Sequence, residues 1–432
     1  MDFLDKNLSS TIKRLLDNEN RKNIAASHYW YPLNYATFGE EEITSALQSL
    51  LSFRTSMAEK CKLFENCFKQ HINSREAIFL NSGSSADLLA MSIIVKSPEN
   101  NIEPGDKVLV PAITWPTQIW SIKQAGLIPV LYDCSTETFN PDIKSVPDDL
   151  LRECKMIFTT HILGTCCDLD ELQNTAEKHN LLIAEDACES LGTLYKGKQV
   201  GTFGEVGTFS FFFSHHITTM EGGMICTNNS DLSLQARIMR AHGWSRAIQN
   251  IDLENFCKKR NINLEEYSNI DQRYLFLDEG YNLRPTELNA SFGIHQLNKI
   301  DDFNKKRISL AEKFYQAISR LKNIKGPQII EGCKPCFMSL PLKVISDNFD
   351  GNKSIKFLES KGVEARPLIA GNISKHPARK LMNLQFESNN LNGADYHHNY
   401  SFYVGLSPVH SEENINRLIK VFEELDHVID YG

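Results

Sequence analysis

Short runs of apolar residues alternate with longer amphipathic stretches through the first two thirds of this 432-residue chain. The apolar runs lie at residues 77–80, 107–110, 129–132, 156–159, 181–184 and 207–211. Runs of this length predict buried strands, and the amphipathic stretches between them predict helices. Because strands and helices alternate, we expect an α/β fold in which helices cover both faces of a mostly parallel sheet.

The pattern differs at the two ends of the chain. Near the N-terminus, apolar residues recur at near-helical spacing and predict a polar, partly helical extension: Leu4, Leu8, Ile12, Leu15 and Leu16. Beyond residue 298, a helical pattern at 300–321 leads into a strand-like run at 337–342 and a last helix at 412–428. We therefore predict an N-terminal extension over residues 1–30, a large domain over 31–298, and a smaller C-terminal α+β domain over 299–432.

Composition narrows the class of protein. Hydrophobic residues make up 41% and charged residues 23% of the chain, as in soluble globular proteins. The formal charge of −8 disfavours a nucleic-acid or anionic-membrane partner. No apolar stretch approaches the length of a membrane span, and the first residues lack the layout of a secretory signal, so we expect a cytoplasmic protein.

The eleven cysteines are odd in number and have no repeated spacing. This usage argues against a disulfide framework and is typical of a reducing compartment. Cys333 and Cys336 form one CxxC pair, but a single pair without a second is weak evidence for a metal site. We predict no metal.

Three motifs follow predicted strands, where ligands of open parallel sheets gather. The segment 81–87, with Ser84 and Ser85, is a glycine turn that leads into an apolar helix; it suits phosphate binding at a helix N-terminus, or simple helix capping. Asp186 ends a strand and could face a cofactor nitrogen or cap the next helix. Trp115 could stack on a ring or lie in the core.

A fourth motif runs from Ser210 to Gly223 and contains the adjacent residues His215 and His216. Imidazole titrates near neutrality, so either ring could act as an acid and a base. The alternative is a pair of polar loop residues with satisfied hydrogen bonds. No Lys occurs between residues 199 and 257, so no neighbouring amine can take over the chemistry.

Together, in this order, these motifs resemble the DegT/DnrJ/StrS family of sugar-processing pyridoxal-phosphate enzymes, and the resemblance extends through residues 241–246 and 365–372. It implies a pyridoxal-phosphate-dependent fold of type I, like that of aspartate aminotransferase. It implies that Ser84, Ser85 and Ser210 hold the phosphate, that Trp115 stacks on the ring and that Asp186 faces the pyridine nitrogen. It also implies a homodimer with shared active sites, in which Asn282 reaches the phosphate of the neighbouring subunit.

His215 occupies the position where the family normally has a Lys. Imidazole can move protons but cannot form the Schiff base that an amine makes with an aldehyde cofactor. The resemblance therefore implies a dehydratase that uses pyridoxal or pyridoxamine 5'-phosphate to remove the C3 hydroxyl of a nucleotide-linked 4-keto-6-deoxyhexose. L-Glutamate would donate the amine, and ammonia would be released. His215 is the expected catalytic residue, and the substrate candidates are His216, Arg246, Arg284 and Arg366.

Other functions stay open at this point. The chain could be a nucleotide-sugar aminotransferase without a covalent Lys, or a protein that binds the cofactor without catalysis. A related branch performs the dehydration with a [2Fe–2S] cluster. Cys188 and Cys257 are the thiols in the relevant segments, and two thiols cannot supply the four ligands that such a cluster needs, so this route is disfavoured.

Overall fold

A computed structural model describes residues 7–17, 28–248, 250–346, 348–382 and 391–431. A large mixed sheet lies at its centre. In the described ranges this sheet has seven strands in the order β1-β9-β8-β5-β4-β2-β3, and β9 alone runs antiparallel to the rest. The strands are β1 (Glu76–Leu80), β2 (Lys107–Pro111), β3 (Ile128–Tyr132), β4 (Cys154–Thr160), β5 (Leu182–Asp186), β8 (Val206–Ser210) and β9 (Gly223–Thr227).

Helices pack on both faces of this sheet, because its strands are apolar on both sides. Successive side chains of a strand point to opposite faces. Ile78 therefore belongs to one buried cluster and Phe79 to the other, and the same alternation separates Val108 from Leu109. Two cores result, one on each face, as expected for a parallel sheet covered by helices.

The described helices, numbered in chain order, complete the architecture. They are α1 (residues 7–17), α2 (Glu40–Leu51), α3 (Glu59–Ile72), α4 (Gly83–Lys96), α5 (Pro116–Gln124), α6 (Asp148–Glu153), α7 (Leu169–His179), α8 (Ser230–Arg240), α9 (Asn250–Lys259), α10 (Glu287–Ile318), α11 (Gly351–Ser360), α12 (Ala378–Met382), α13 (Asn392–Tyr400) and α14 (Glu412–Tyr431). Short 3₁₀ helices cover Ile143–Ser145, Ile162–Gly164, Ser245–Ala247, Leu264–Tyr267, Gln272–Tyr274 and Ile373–Lys375.

The C-terminal part forms a smaller unit around an antiparallel sheet. Its strands, in the order β10-β12-β14-β13, are β10 (Ile324–Lys325), β12 (Ser339–Val344), β14 (Ser401–Gly405) and β13 (Ala365–Pro367). A third core lies beneath this sheet and includes Phe314, Leu342 and Phe422. A small sheet connects the two parts, because β11 (Cys333–Lys334) pairs with β6 (Leu194–Tyr195), which in turn pairs with β7 (Lys198–Gln199).

The long helix α10 runs through the predicted boundary at residue 298. Thr286 caps its start, and the side chain of Asn289 accepts a hydrogen bond from the backbone of Thr286 in return. The helix therefore begins 13 residues before the predicted 300, and its two halves pack in different cores. We retain the division into three regions as a proposal, with α10 shared between the two larger ones.

Residues 7–17 of the predicted extension are helical, and Ile12 is buried on the body of the protein. The hydroxyl of Ser9 donates a hydrogen bond to the carboxylate of Glu40, which begins α2. Leu4 lies outside the described residues. None of the helices in the described ranges is long and apolar enough to cross a membrane.

Candidate active site

The predicted motifs meet in a cavity of about 400 Å³ at the carboxyl ends of the parallel strands. Open parallel sheets bind ligands at this edge. Five of the residues predicted from the sequence line the cavity: Ser84, Trp115, Asp186, Ser210 and His215. They come from four separate segments of the chain, so the fold, rather than any local motif, brings them together.

One end of the cavity is formed by the start of α4. The hydroxyl of Ser82 caps this helix by accepting a hydrogen bond from the backbone N–H of Ser85 and donates one to the Ser85 hydroxyl. Gly83 lets Ser210 approach the helix start, because a Cβ at residue 83 would lie 2.6 Å from the Cβ of Ser210. Hydroxyls and a helix N-terminus therefore face the same space, which suits a phosphate group.

The cavity also contains the acid predicted at the end of β5. The alternation of the strand points Asp186 into the cavity and Glu185 away from it. Glu185 has a structural role, because it accepts hydrogen bonds from the backbone N–H groups of Gly201, Phe203 and Gly204. Asp186 accepts a hydrogen bond from the backbone N–H of Cys188 at 3.0 Å.

Trp115 caps α5 at the mouth of the cavity and is 57% exposed. This exposure excludes the alternative in which the indole belongs to the core. A large apolar ring held beside a cavity offers a broad face on which a flat ligand can stack.

The two histidines have different environments. The ring of His215 lines the cavity, and its Nδ1 donates a hydrogen bond to the carbonyl oxygen of Cys188 at 2.7 Å. Because a carbonyl can only accept, the proton of the neutral ring is on Nδ1 and Nε2 carries the free lone pair. His216 is fully buried, and its Nε2 donates to the carbonyl oxygen of Cys336 at 2.8 Å. The structure does not bring His216 to the cavity.

Burial keeps the His215 ring neutral. It lowers the pKa of His215 to about 4, with the positive charge of Arg307 adding to the effect and the hydrogen bond to Cys188 opposing it. A neutral imidazole with a free Nε2 is ready to accept a proton at physiological pH.

The cavity also contains ionisable side chains that the sequence analysis did not single out. Glu189 accepts a hydrogen bond from the backbone N–H of Leu163 at 2.9 Å, and burial raises its pKa to about 8. Burial likewise raises the pKa of Tyr403, from β14, to about 12. Asp87, in the second turn of α4, and Glu221 also line the cavity. Asp87 and Glu221 lie inside predicted motifs and Glu189 lies close to one, whereas nothing in the sequence around Tyr403 marks it.

Asn282 and Arg284 lie near the start of α4 but do not line the cavity of their own chain. The backbone N–H of Asn81 donates to the carbonyl of Leu283, which places this segment beside the turn into α4. Asn282 is exposed, and its side-chain oxygen accepts a hydrogen bond from Nε of Arg284 at 3.0 Å.

The other two predicted arginines are also outside the cavity. Arg246 lines a separate cavity of about 850 Å³ between α3, α8 and α9, and its guanidinium lies 5.8 Å from the centre of the Trp244 ring. Arg366, on β13, is paired in register with Tyr403 and forms an ion pair with Glu364 at 2.6 Å. The larger cavity contains none of the other predicted site residues in its described lining, so we place the chemistry in the smaller one.

The cysteines relevant to the iron–sulfur alternative lie apart from each other. Cys188 lines the cavity, while Cys257 is buried on α9 against Ile238 and Phe256. Each of the eleven cysteines is a free thiol.

Comparison with known proteins identifies the family. A model of the DegT/DnrJ/EryC1/StrS aminotransferase family matches residues 36–423, which is most of the chain. The chain belongs to this family. The resemblance noted from the sequence motifs is thereby confirmed.

Within the DegT/DnrJ/EryC1/StrS family, the chain is similar to named 3-dehydratases. It is 30% identical to GDP-4-keto-6-deoxy-D-mannose 3-dehydratase of Escherichia coli O55:H7, covering 92% of this chain and 98% of the relative. It is also 30% identical to dTDP-4-dehydro-2,6-dideoxy-D-glucose 3-dehydratase of Saccharopolyspora spinosa, covering 90% of this chain and 85% of the relative.

A solved structure of the E. coli GDP-4-keto-6-deoxy-D-mannose 3-dehydratase with bound hydrated PLP superimposes with a TM-score of 0.82 at 29% identity, covering 90% of this chain and 98% of that chain. The fold predicted from the motifs, an aminotransferase-like α/β fold with a smaller C-terminal part, is therefore confirmed.

Proposed function

We propose that this protein is a pyridoxal-phosphate-dependent 3-dehydratase of a nucleotide-linked 4-keto-6-deoxyhexose. It uses L-glutamate as amino donor, cycles between pyridoxal and pyridoxamine 5'-phosphate, and releases ammonia. One observation carries the proposal: in a family named for aminotransfer, a neutral histidine with a free Nε2 lines the cavity where a Lys is expected. The substrate is given as a class because the two named relatives differ in nucleotide and sugar.

The donor set of the cavity fits the cofactor. Ser84 and Ser210 line the cavity and would hold the phosphate at the start of α4. Ser85 does not line the cavity; its hydroxyl is hydrogen-bonded to Ser82, and it would contribute that hydroxyl from behind this turn. Trp115 would stack on the ring, and Asp186 would hold the protonated ring nitrogen. When bound, the cofactor supplies an electron sink that acidifies C–H bonds near an attached amine. The carboxylate keeps the ring nitrogen cationic, and the hydroxyls fix the phosphate end, so the pocket retains the cofactor without a covalent link.

His215 would act as the acid–base residue. Its Nε2 takes a proton, the resulting cation is stabilised by the hydrogen bond from Nδ1 to the Cys188 carbonyl, and the same Nε2 delivers a proton to the departing C3 hydroxyl. A Lys at this position would instead offer an amine for covalent chemistry. The substitution therefore favours removal of the hydroxyl over transfer of the amine to the sugar.

The proposed enzyme is a homodimer that shares its active sites. Asn282 is exposed on its own subunit and lies beside the turn into α4, a position from which it would reach the phosphate in the partner's cavity. Two apolar side chains at and just after the end of α2 support association of subunits, because Leu51 is 71% and Phe53 92% exposed. The backbone of Ser56, three residues after Phe53, forms a β-bridge with Thr286, so these exposed residues lie near the segment that contains Asn282.

The negatively charged diphosphate of the substrate needs cationic or backbone contacts. Arg246, Arg284 and Arg366 are our candidates; none of them lines the cavity of its own chain, so each would act from outside the cavity or across the dimer interface. His216 is a weaker candidate because its ring is buried against Cys336. We further propose a cytoplasmic location, which the eleven free thiols support.

Two assays test this function. Glutamate added to the purified, cofactor-loaded protein is expected to shift the absorbance of the cofactor from the aldehyde to the amine form. Addition of a nucleotide-linked 4-keto-6-deoxyhexose is then expected to release one ammonia for each glutamate oxidised to 2-oxoglutarate. An amino sugar formed without free ammonia would identify an aminotransferase, the alternative that the family name favours. Absence of the glutamate-dependent shift would identify a non-catalytic binding protein.

A further inference from the structure

Two buried carboxyl groups lie side by side in the cavity. Asp87, in the second turn of α4, is 2% exposed, and Asp186, at the end of β5, is 4% exposed. A carboxylate oxygen of each residue and Sγ of Cys188 all lie within 4.8 Å of one another. The segments that carry the two acids are far apart in sequence and meet only because α4 packs on the sheet.

The hydrogen bonds of the pair leave its charge uncompensated. Asp87 accepts from the hydroxyls of Thr208 at 2.7 Å and Thr117 at 3.5 Å. Asp186 accepts from the backbone N–H of Cys188. In the described part of the chain, neither carboxylate forms an ion pair with a Lys, Arg or His side chain. Two adjacent buried carboxyls with no cation bonded to either of them do not both ionise near neutral pH.

We propose that Asp87 is a positioning residue for the ring nitrogen of the cofactor and that it acts through Asp186. In the cofactor-free protein one of the two carboxyls is protonated. Asp186 would hold the cationic ring nitrogen of the cofactor, and that charge would favour ionisation of both acids: the O–H bond of the protonated carboxyl breaks, the proton leaves to solvent, and two carboxylates face one cation. The inference rests on the proposed cofactor but not on the proposed sugar chemistry.

Burial raises the pKa of Asp87, and the charge of Asp186 raises it further; the pKa of Asp186 is also raised by burial. Other titratable groups surround the pair: the thiol of Cys188, the carboxyl of Glu189 and the ring of His161. The His161 ring is bonded to Glu185, and its positive charge opposes the effect of burial on the pKa of Asp186. Burial raises the pKa of the Cys188 thiol, so this thiol stays neutral and adds no compensating charge.

Asp87→Asn separates this function from a structural one. The amide oxygen can still accept the hydrogen bond from Thr208, so the variant retains any purely structural role of residue 87. The variant lacks the second negative charge of the pair. Thr117→Val is the matched control, because it removes one weak donor to Asp87 and leaves both carboxyls in place.

The first measurement is the number of protons released when pyridoxamine 5'-phosphate binds, obtained by calorimetry in two buffers of different ionisation enthalpy. Cofactor-free wild type and Thr117→Val are expected to release about one proton more than Asp87→Asn at pH 7. Equal proton numbers in wild type and Asp87→Asn would overturn the proposal. If the wild type does not bind the cofactor at all, the proposed function fails instead, so the two failures are distinguishable.

The second measurement reports the ring nitrogen directly. The protein is titrated with pH while it binds ¹⁵N-labelled pyridoxamine 5'-phosphate, and the chemical shift of the ring nitrogen reports its protonation. The pKa of the bound ring nitrogen is expected to be higher in wild type than in Asp87→Asn by about one unit or more. Identical titrations would contradict a role for Asp87.

A third measurement does not depend on the stability of the Asp87 variant. In Glu189→Gln protein, where the buried carboxyl of Glu189 no longer contributes to the spectrum, infrared difference spectra are expected to show the loss of one protonated carboxyl band on cofactor binding. Binding without such a loss would contradict a protonated carboxyl in the pair.

Discussion

The two adjacent histidines differ in which ring nitrogen is free and in what it faces. We expect His215→Asn to lower the turnover number about 100-fold or more, because it removes the acid–base group, and to leave cofactor binding largely intact. His216→Asn loses a buried hydrogen bond to Cys336 and should lower the free energy of unfolding by about 1–3 kcal/mol while most of the turnover is retained. Steady-state kinetics and denaturant unfolding measure the two effects, and a larger loss of turnover in His216→Asn would reverse the assignment.

Glu189 predicts a pH dependence of stability. Its folded-state pKa of about 8 is above the value for an unfolded chain, so the folded protein binds more protons between about pH 4.5 and 8. The contribution of this carboxyl to stability is therefore present at low pH and is lost as the pH rises through that window. In cofactor-free protein, Glu189→Gln should gain on the order of 2 kcal/mol relative to wild type between pH 5 and 8. Thermal unfolding of both proteins across this range measures the gain, and parallel curves would contradict it.

Residue type and spacing, read through the family resemblance, selected Ser210, Asp186 and His215 from the sequence. Spacing alone favoured His215 over His216, and the structure supports that choice because the ring of His215 lines the cavity and the ring of His216 does not. The sequence also could not predict that Asp87 and Asp186 lie close together, because their proximity depends on the packing of α4 against β8. Tyr403 comes from a strand of the C-terminal part, and no local pattern connects it to the motifs.

At the scale of elements, the close approach of α4 to the end of β8 shapes the part of the cavity where we propose that the phosphate binds. Gly83→Ala would place a Cβ 2.6 Å from Ser210, and this overlap should cost about 1–3 kcal/mol of stability. Alanine has a higher helix propensity than glycine, but that gain is at most about 1 kcal/mol, so the overlap dominates. Cofactor affinity should fall together with stability, as measured by equilibrium binding and unfolding.

Gly39→Ala is the matched control for this prediction. A Cβ at residue 39 meets no atom within 4 Å, and the residue caps α2 away from the cavity. The substitution should cost less than about 1 kcal/mol and leave cofactor affinity unchanged. If Gly83→Ala behaves like Gly39→Ala, the close approach is not required.

The sequence pattern located the parallel strands to within a residue or two, because each is a short apolar run between polar stretches. It did not predict β9 at all, and periodicity in any case carries no information on the direction in which a strand runs. It also placed the start of α10 too late. The capping residues Thr286 and Asn289 mark the true start, and the first turns of α10 are buried by contacts with α2 and α3 that the sequence alone does not indicate.

At the scale of the whole molecule, shared active sites predict complementation between inactive variants. A mixed dimer of His215→Asn and Asn282→Ala subunits has one site with both residues intact, if Asn282 acts on the partner's cavity. Random mixing then restores about a quarter of the wild-type sites. Co-expression followed by activity assays tests this, with light scattering to establish the dimer. If Asn282 acts in its own subunit, both sites of the mixed dimer are broken and no activity returns.

The central claim is that histidine at residue 215 directs the chemistry towards loss of the C3 hydroxyl. Mass spectrometry of the sugar nucleotide formed from a 4-keto-6-deoxyhexose substrate and glutamate tests it most directly. The expected wild-type product has lost one oxygen and contains no added nitrogen, and His215→Lys is expected to abolish its formation. A wild-type product in which an amino group has replaced the keto oxygen, or full dehydration by His215→Lys, would contradict the claim.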